Sequence, residues 1–298
     1  LNGDRVKIYL YAKRPGRRLE GEILEVLERA KIDFVGVVQV SPKFAFLVPD
    51  SNKMLVDIFI PLKELNGAEN GQKAIAEISE WPKGAKNPVG KITKVLGWPG
   101  ENDTEMDAIL VEYGFPTEFP ASVEKEARTI PTEITEEEIK KRRDFRKLTT
   151  FTIDPVDAKD FDDALSIRKL DNDNWEIGVH IADVSHYMKE DSVLEKEAYE
   201  RATSVYLVDR VIPMLPEKLS NEVCSLRPNE EKLCFSAVFE LTDDARLVNE
   251  WFGRTVIYSD KRFTYEEAQT VIETGEGILK DEILTLDRLA KILRGERF

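Results

Sequence analysis

The chain has 298 residues and a formal net charge of −14, with 42% hydrophobic and 34% charged residues. This balance excludes a disordered chain, and the sequence contains no run of about 18 apolar residues that could span a membrane. Two cysteines are too few for a disulfide scaffold or a four-thiolate zinc site, so we expect a cytoplasmic protein. The net charge is +4 over residues 1–100 and −18 over residues 101–298, which indicates either separate roles for the two parts or only a solubilising acidic surface.

The first thirty residues are predicted to form two short strands. Residues 6–10 and 21–26 alternate between apolar and polar side chains, and a basic turn at 13–18 separates them. A lone hairpin of this size is marginally stable in water. We therefore interpret residues 1–30 as the C-terminal remnant of a first cold-shock or OB-type domain whose front is absent.

Residues 31–97 are predicted to form one small all-β domain. Its strand-like runs, separated by turns rich in Pro, Gly, Asn and Asp, are residues 34–40, 44–49, 57–60, 73–80 and 90–96. Five short strands in about 65 residues match the size of an OB-fold barrel. The sequence therefore predicts a second cold-shock or OB-type domain here.

Residues 98–147 are predicted to be a connector with short helices. Thr135 and Glu138 form the pattern of a capping box, which predicts a helix that continues to about Phe145. Four consecutive basic residues, 140–143, lie in that helix. They indicate either a solvated face or contacts with phosphates, and the sequence leaves this choice open.

From residue 148 to residue 298 the pattern is that of a mixed α/β domain. The predicted strands are residues 150–153, 164–170, 175–181, 235–241 and 247–258. The predicted helices are residues 193–203, a segment capped by Thr264, and residues 278–294. No stop signal follows Gly295, so we interpret residues 148–298 as the N-terminal part of a larger domain.

The segment 154–163 carries the densest chemical signal. Its five aspartates are Asp154, Asp157, Asp160, Asp162 and Asp163. Because Ile153, Phe161 and Leu165 lie among them, the carboxylates are placed near an apolar core, which is costly unless cations neutralise them. Mg²⁺ prefers such oxygen ligands, and two ions can activate a water and stabilise the leaving oxygen of a phosphodiester.

These aspartates have two interpretations other than a Mg²⁺ site. A calcium EF-hand loop that starts at Asp154 fails, because Lys159 and Leu165 occupy the positions that need Gly and Glu. A plain acidic turn stays an alternative, although the flanking strand and the apolar residues favour a metal site.

The segment 152–165, TIDPVDAKDFDDAL, resembles the catalytic signature of the ribonuclease II and ribonuclease R family of exoribonucleases, the RNB family. Two further segments resemble that family in the same order, HIADVS at 180–185 and the stretch from IPMLP at 212 to LSNEVCSL at 226. The resemblance covers the chain from about residue 148 to its end. Together with the small β-domains in front, it is most similar to the bacterial ribonuclease R branch.

This resemblance implies hydrolysis of RNA from its 3′ end with release of nucleoside 5′-monophosphates. It implies that Asp154, Asp160, Asp162 and Asp163 hold Mg²⁺, or Mn²⁺ in its place, and the scissile phosphate, whereas Asp157 is a turn residue. It also implies that Tyr206 stacks near the 3′-terminal nucleotide, with a half-buried strand aromatic as the alternative. The expected partner is single-stranded RNA or structured RNA with a 3′ overhang, and neither a membrane nor an obligate protein partner is implied.

The family's nuclease domain runs further than Phe298 and supplies an Arg, a Glu and a second aromatic residue to the active site, and an S1-type domain follows it. We therefore expect this chain by itself to be inactive or nearly so as a nuclease. The alternative function is a catalytically silent RNA-binding module that acts through its OB-fold domains.

An RNA-binding face is predicted on the small β-domain. The segments KFAF at 43–46 and DIFI at 57–60 resemble the two aromatic strand motifs of cold-shock domains. Residues two apart on a strand share a face, so Phe44 and Phe46 lie together. With Phe59 of the second motif they are the predicted base-stacking rings, and Lys43 is the predicted basic contact. The alternative is that the rings fill the barrel core. We interpret His180 as a strand residue and not as a metal ligand, because no third ligand lies at metal spacing.

Overall fold

The structure is a computed structural model that describes residues 3–12, 18–52, 54–82 and 84–297. It divides into two compact units, residues 1–118 and 119–298. The predicted basic turn falls on residues 13–17, which lie outside the described residues. None of the helices in the described ranges is long and apolar enough to cross a membrane.

The first unit opens with the predicted hairpin, formed by antiparallel strands β1 (Arg5–Leu10) and β2 (Gly21–Glu28). Large apolar side chains on both of its faces are exposed, among them the consecutive residues Ile8 and Tyr9. Asp4 lies beside the end of β2, where its carboxylate accepts hydrogen bonds from the Arg29 side chain and the Ala30 amide at 2.9 and 3.1 Å.

A closed five-stranded barrel follows, in the order β3-β4-β5-β7-β6. Its strands are β3 (Asp33–Val40), β4 (Ala45–Pro49), β5 (Ile58–Ile60), β6 (Lys73–Glu80) and β7 (Val89–Gly97). A short 3-10 turn, Leu62–Glu64, follows β5. The core contains alternate residues of each strand, as period-two patterning requires, and a Cβ added to Gly36 would lie 2.1 Å from the Val48 carbonyl oxygen. The predicted OB-type barrel is confirmed.

Helix α1 (Asn102–Glu112) packs on the outside of this barrel. Its Ala108 side chain forms a small cluster with Val35 of β3 and Ile75 of β6. The described first unit is therefore a hairpin, a barrel and one covering helix.

The second unit is built on a seven-stranded sheet in the order β16-β9-β10-β11-β14-β15-β8. The strands of the unit are β8 (Arg143–Asp144), β9 (Thr150–Asp154), β10 (Asp163–Lys169), β11 (Trp175–Ala182), β12 (Val205–Tyr206), β13 (Val211–Ile212), β14 (Glu231–Leu241), β15 (Leu247–Tyr258) and β16 (Lys261–Thr264). The central pairs are antiparallel, whereas β16 pairs with β9 and β8 pairs with β15 in parallel. Strands β12 and β13 form a separate two-stranded sheet.

Helices cover both faces of the large sheet, which is the predicted mixed α/β architecture. They are α2 (Ala121–Thr129), α3 (Glu136–Ile139), α4 (Val184–Tyr187), α5 (Val193–Arg201), α6 (Tyr265–Thr274) and α7 (Lys280–Arg297), and a wide helical turn spans Lys218–Val223. One face packs against α2 and α5 around Ala164 and Cys234, and the other packs against α6 and α7 around Phe151 and Ile167.

The predicted helix from Thr135 to about Phe145 is wrong in length, because α3 is a single turn. The Thr135 hydroxyl does accept a hydrogen bond from the Glu138 amide at 3.2 Å, so the predicted start is present. The chain then turns to bury the Arg142 guanidinium, which pairs with Glu138 and Asp183 at 2.9 and 2.8 Å. Arg142 thus stabilises the fold and is unavailable to a phosphate.

Candidate active site and nucleic-acid interface

The acidic segment lies at one edge of the sheet, where two neighbouring strands meet. Asp154 is the last residue of β9 and Asp163 is the first residue of β10, and these strands pair side by side. Asp160 and Asp162 lie in the loop that joins them. We name residues 155–162 the acidic loop. The antiparallel pairing brings the two ends of this loop together.

Asp154 is a buried carboxylate that lies close to other carboxylates. It is 7% exposed, and its Oδ2 atom is buried without a hydrogen-bond partner. Burial raises the pKa of Asp154; the Thr152 hydroxyl and the Arg262 charge lower it, and the charges of Asp163 and Asp160 raise it further. The net direction is upward, so the structure disfavours an ionised and unneutralised Asp154.

Asp162 shows the same direction without an opposing cation. Burial is the first cause that raises its pKa, and the charges of Asp160, Asp163 and Asp154 each raise it further. Asp162 is nevertheless exposed to solvent, so its pKa shift counts as a direction only. The four aspartates therefore interact as one repelling group that a cation could reach.

The donor chemistry fits a hard divalent cation, because all four side chains offer carboxylate oxygens and one buried oxygen lacks a partner. However, no group of three or more His, Cys, Asp or Glu side chains within the described ranges stands ready to hold a metal ion. Side-chain rotation would be needed to complete a ligand set. The assignment of Asp154, Asp160, Asp162 and Asp163 as metal ligands therefore stays a prediction.

The fifth aspartate differs from these four. Asp157 lies in a turn closed by a hydrogen bond from the Ala158 amide to the Pro155 carbonyl at 3.1 Å, and its side chain is exposed. This placement agrees with the interpretation of Asp157 as a turn residue.

Tyr206, predicted from the resemblance alone, lies beside the acidic loop. It belongs to β12, is 67% exposed, and so is not the half-buried strand aromatic of the alternative interpretation. Burial, the charges of Asp160 and Asp162 and a hydrogen bond to Asp160 raise the pKa of the Tyr206 hydroxyl. The fold brings Tyr206 next to the aspartates, and its stacking role stays a prediction.

Three phenylalanines form one aromatic face on the outside of the barrel. The ring centroids of Phe44, Phe46 and Phe59 lie 5.5, 5.7 and 6.2 Å apart. Their strand neighbours Ala45 and Ile58 are fully buried, so the barrel core is filled by the alternate residues and not by these rings. Lys43 and Phe44 are exposed, the latter at 39%. The face is available to bases, and RNA binding by it stays a prediction.

His180 is a buried structural residue. Its ring nitrogens lie 2.7 Å from the Ser236 hydroxyl and 2.8 Å from the Ser166 hydroxyl. Burial and the Arg143 charge lower its pKa to about 4, so the ring is neutral near pH 7. This geometry agrees with the interpretation of His180 as a strand residue.

Arg262 was not predicted from the sequence, although it contacts the acidic loop. Its Nη2 atom donates hydrogen bonds to the carbonyl oxygens of Pro155 and Val156. No motif points to Arg262, because its place is set by the parallel pairing of the four-residue strand β16 with β9.

The RNB domain family matches residues 142–298, and a cold shock domain family matches residues 46–120. The chain is 42% identical over 284 residues to ribonuclease R of Thermotoga maritima, covering 93% of this chain and 40% of that protein. It is 35% identical over 288 residues to the exosome complex exonuclease RRP44 of Mus musculus, covering 94% of this chain and 30% of that protein. The chain thus spans less than half the length of these curated relatives.

A solved structure extends the likeness to the whole fold. RNase R of Mycoplasma genitalium, in complex with ribose methylated single-stranded RNA, superposes with a TM-score of 0.87 at 25% sequence identity. The match covers 100% of this chain and 48% of that one.

Proposed function

Since the chain belongs to the RNB family, we propose that it forms the metal-binding and RNA-entry part of an exoribonuclease that hydrolyses RNA from its 3′ end to nucleoside 5′-monophosphates. The observation that carries this proposal is the acidic site itself. Two adjacent strands and their connecting loop place four mutually repelling carboxylates together, one of them with a buried, unpartnered oxygen. Such repulsion is a cost to folding that a bound cation would relieve.

Asp154, Asp160, Asp162 and Asp163 are the residues that would hold Mg²⁺. When bound, Mg²⁺ would polarise a phosphodiester and lower the pKa of a water molecule. The carboxylates would fix that charge at the sheet edge. Tyr206, beside Asp160, would offer its exposed ring to the base or ribose of the terminal nucleotide.

The aromatic face of the barrel offers a second RNA contact, which does not require hydrolysis of the RNA. Phe44, Phe46 and Phe59 can stack bases without sequence preference, and the exposed Lys43 directly precedes Phe44 in the chain. The RNA in the Mycoplasma complex supports an RNA ligand for this chain. Single-stranded RNA, or structured RNA with a 3′ overhang, is the proposed substrate.

The alternative function is RNA binding without hydrolysis. It is favoured by the absence of a preformed three-residue ligand group in the parts of the chain that the structure describes. Both functions predict RNA binding, and the chain by itself is expected to be inactive or nearly so, so metal binding is what separates them.

The test compares the chain with its Asp162→Asn and Asp157→Asn variants. Mn²⁺ binding is measured by electron paramagnetic resonance, and RNA affinity is measured by fluorescence anisotropy with labelled oligonucleotides. We expect Asp162→Asn to lose Mn²⁺ affinity by about 10-fold or more and to keep RNA affinity, whereas Asp157→Asn should match the parent. Equal Mn²⁺ affinity of all three proteins, with RNA binding retained, would favour the silent RNA-binding module.

A further inference from the structure

We infer that Arg262 is a positioning residue that fixes the acidic loop, an inference that rests on the proposed function for what the loop does. Its Nη2 donates to the Pro155 carbonyl and, at 3.2 Å, to the Val156 carbonyl, so it contacts the start of the loop. Its guanidinium carbon also lies 5.4 Å from the centroid of the Phe161 ring, next to Asp162. One side chain therefore contacts both ends of the segment that carries Asp160 and Asp162.

The position of Arg262 is set by the sheet. In the parallel pair of β16 and β9, Arg262 lies opposite Thr152 and Thr264 lies opposite Asp154. The adjacent Phe263 is buried against Phe151, so alternation places Arg262 on the other face, where the loop passes. Arg262 is half-buried here, and its planar guanidinium can donate hydrogen bonds to the loop carbonyls and stack against the Phe161 ring at the same time.

A second set of contacts holds the second half of the loop. The Ser225 hydroxyl accepts a hydrogen bond from the Phe161 amide at 3.0 Å and donates to the Lys159 carbonyl at 3.3 Å. The Leu226 amide donates to the Phe161 carbonyl at 2.8 Å. Arg262 and residues 225–226 therefore both hold the acidic loop, and we expect the loss of Arg262 to free its first half.

Positioning and charge make opposite predictions for a metal ion. The Arg262 cation lies near Asp154, so its charge alone would weaken the binding of a second cation, and its loss would tighten that binding. If Arg262 acts by holding the carboxylates in place, its loss weakens metal binding instead. The sign of the change in affinity therefore distinguishes the two roles.

The first measurement is Mn²⁺ affinity by electron paramagnetic resonance for the chain and for Arg262→Met, Arg262→Lys and Arg288→Met. Arg288 is a matched control, because it also donates to a turn carbonyl, that of Asp243 at 2.6 Å, from helix α7. We expect about 10-fold weaker binding for Arg262→Met, as is usual for groups that orient ligands, an intermediate loss for Arg262→Lys and none for Arg288→Met. Unchanged or tighter binding by Arg262→Met would overturn the inference.

The second measurement is amide hydrogen exchange without metal, which does not depend on the proposed function. We expect faster exchange at residues 156–158 in Arg262→Met, where the Ala158 amide is bonded to the Pro155 carbonyl that Arg262 also contacts, with the protection of β11 and β14 unchanged, and no change at residues 156–158 in Arg288→Met. If Arg262→Met loses protection throughout, Arg262→Lys is compared instead. Parental exchange in the acidic loop of the folded variant would overturn the inference, even if the parent chain bound no Mn²⁺.

Discussion

At the scale of single residues, the charge of Asp162 lowers the stability of the metal-free fold, whereas the proposed metal site needs that charge. A raised pKa means that the folded protein binds the Asp162 proton more tightly than the unfolded chain does. Stability therefore falls as the pH rises from the unfolded pKa towards the folded one, and the loss is complete above both. At pH 7 without metal, the ionised Asp162 carboxylate therefore lowers the free energy of unfolding.

We predict that Asp162→Asn raises the free energy of unfolding in metal-free buffer at pH 7, by no more than about 1 kcal/mol because solvent screens the carboxylate. Mg²⁺ should stabilise the parent more than this variant, because a ligand of the native state stabilises it by mass action. Urea denaturation with and without Mg²⁺ measures both effects. Asp157→Asn is the control, and equal stabilisation of parent and Asp162→Asn by Mg²⁺ would contradict the prediction.

Arg142 shows a different use of charge, since its guanidinium lies within the core and is paired with carboxylates. Its side chain is fully buried and pairs with Asp183, whose side chain is 2% exposed. Although burial works against it, hydrogen bonds from Arg142 and Ser185 lower the pKa of Asp183. The stability that this pair contributes is present above the unfolded pKa of the carboxyl and is lost as the pH falls through the lower folded pKa.

We predict that Arg142→Met lowers the free energy of unfolding at pH 7 by at most about 3–5 kcal/mol, because the buried Asp183 charge loses its closest cation and keeps only the more distant Arg254, at 3.6 Å. The matched control is Arg246→Met, whose pair with Asp244 is exposed and should cost less than about 1 kcal/mol. Denaturation by urea at pH 7 measures both. Equal, small losses for the two variants would show that water reaches the Arg142 site.

At the scale of elements, strands in which apolar and polar residues alternate are the elements that the sequence predicts best. The five barrel strands and the central strands β9, β10, β11, β14 and β15 lie where alternation and turn residues predict them, because each buries one face locally. The short parallel edge strand β16 was missed, since its pairing with β9 is determined by a partner about 110 residues away. The end of α3 was misplaced for a similar reason: Thr135 marks a helix start, whereas the burial of Arg142 beside Asp183 decides where the helix stops.

The candidate site divides in the same way. The aspartates follow from one contiguous motif, and the aromatic face of the barrel follows from strand alternation. The contacts of Arg262 and Ser225 with the acidic loop come from distant segments and carry no local pattern. Supporting contacts of this kind were therefore visible only in three dimensions.

The aromatic face yields a prediction of its own. Phe44→Ala should weaken binding of single-stranded RNA by about 1–3 kcal/mol, because one stacking ring is lost, without changing the thermal unfolding of the barrel. Tyr113→Ala is the matched control, since Tyr113 is an exposed aromatic residue, at 75%, at the end of α1. Fluorescence anisotropy with labelled oligonucleotides measures affinity, and equal affinities for both variants would remove Phe44 from the interface.

At the scale of the whole molecule, an exposed apolar patch and a large net charge act in opposite directions. Ile181 of β11 lies opposite Phe235 of β14, and Phe252 of β15 shares that face of the sheet; they are 48, 50 and 55% exposed. Contiguous apolar patches promote association of soluble proteins. The net charge of −14 repels copies of the chain, and this repulsion weakens as the Debye length falls from about 10 Å at 0.1 M salt to about 3 Å at 1 M.

We therefore predict that the chain self-associates through this patch and does so more strongly as salt rises, whereas its RNA binding weakens over the same range because phosphate contacts release counterions. Sedimentation velocity at 0.1 and 1 M salt measures the association. Phe235→Ser should reduce it, whereas Leu55→Ser, at a side chain that is 89% exposed and lies outside this patch, should not. A chain that stays monomeric at both salt concentrations would contradict the prediction. Association that weakens with salt would indicate contacts between charged groups in place of the apolar face.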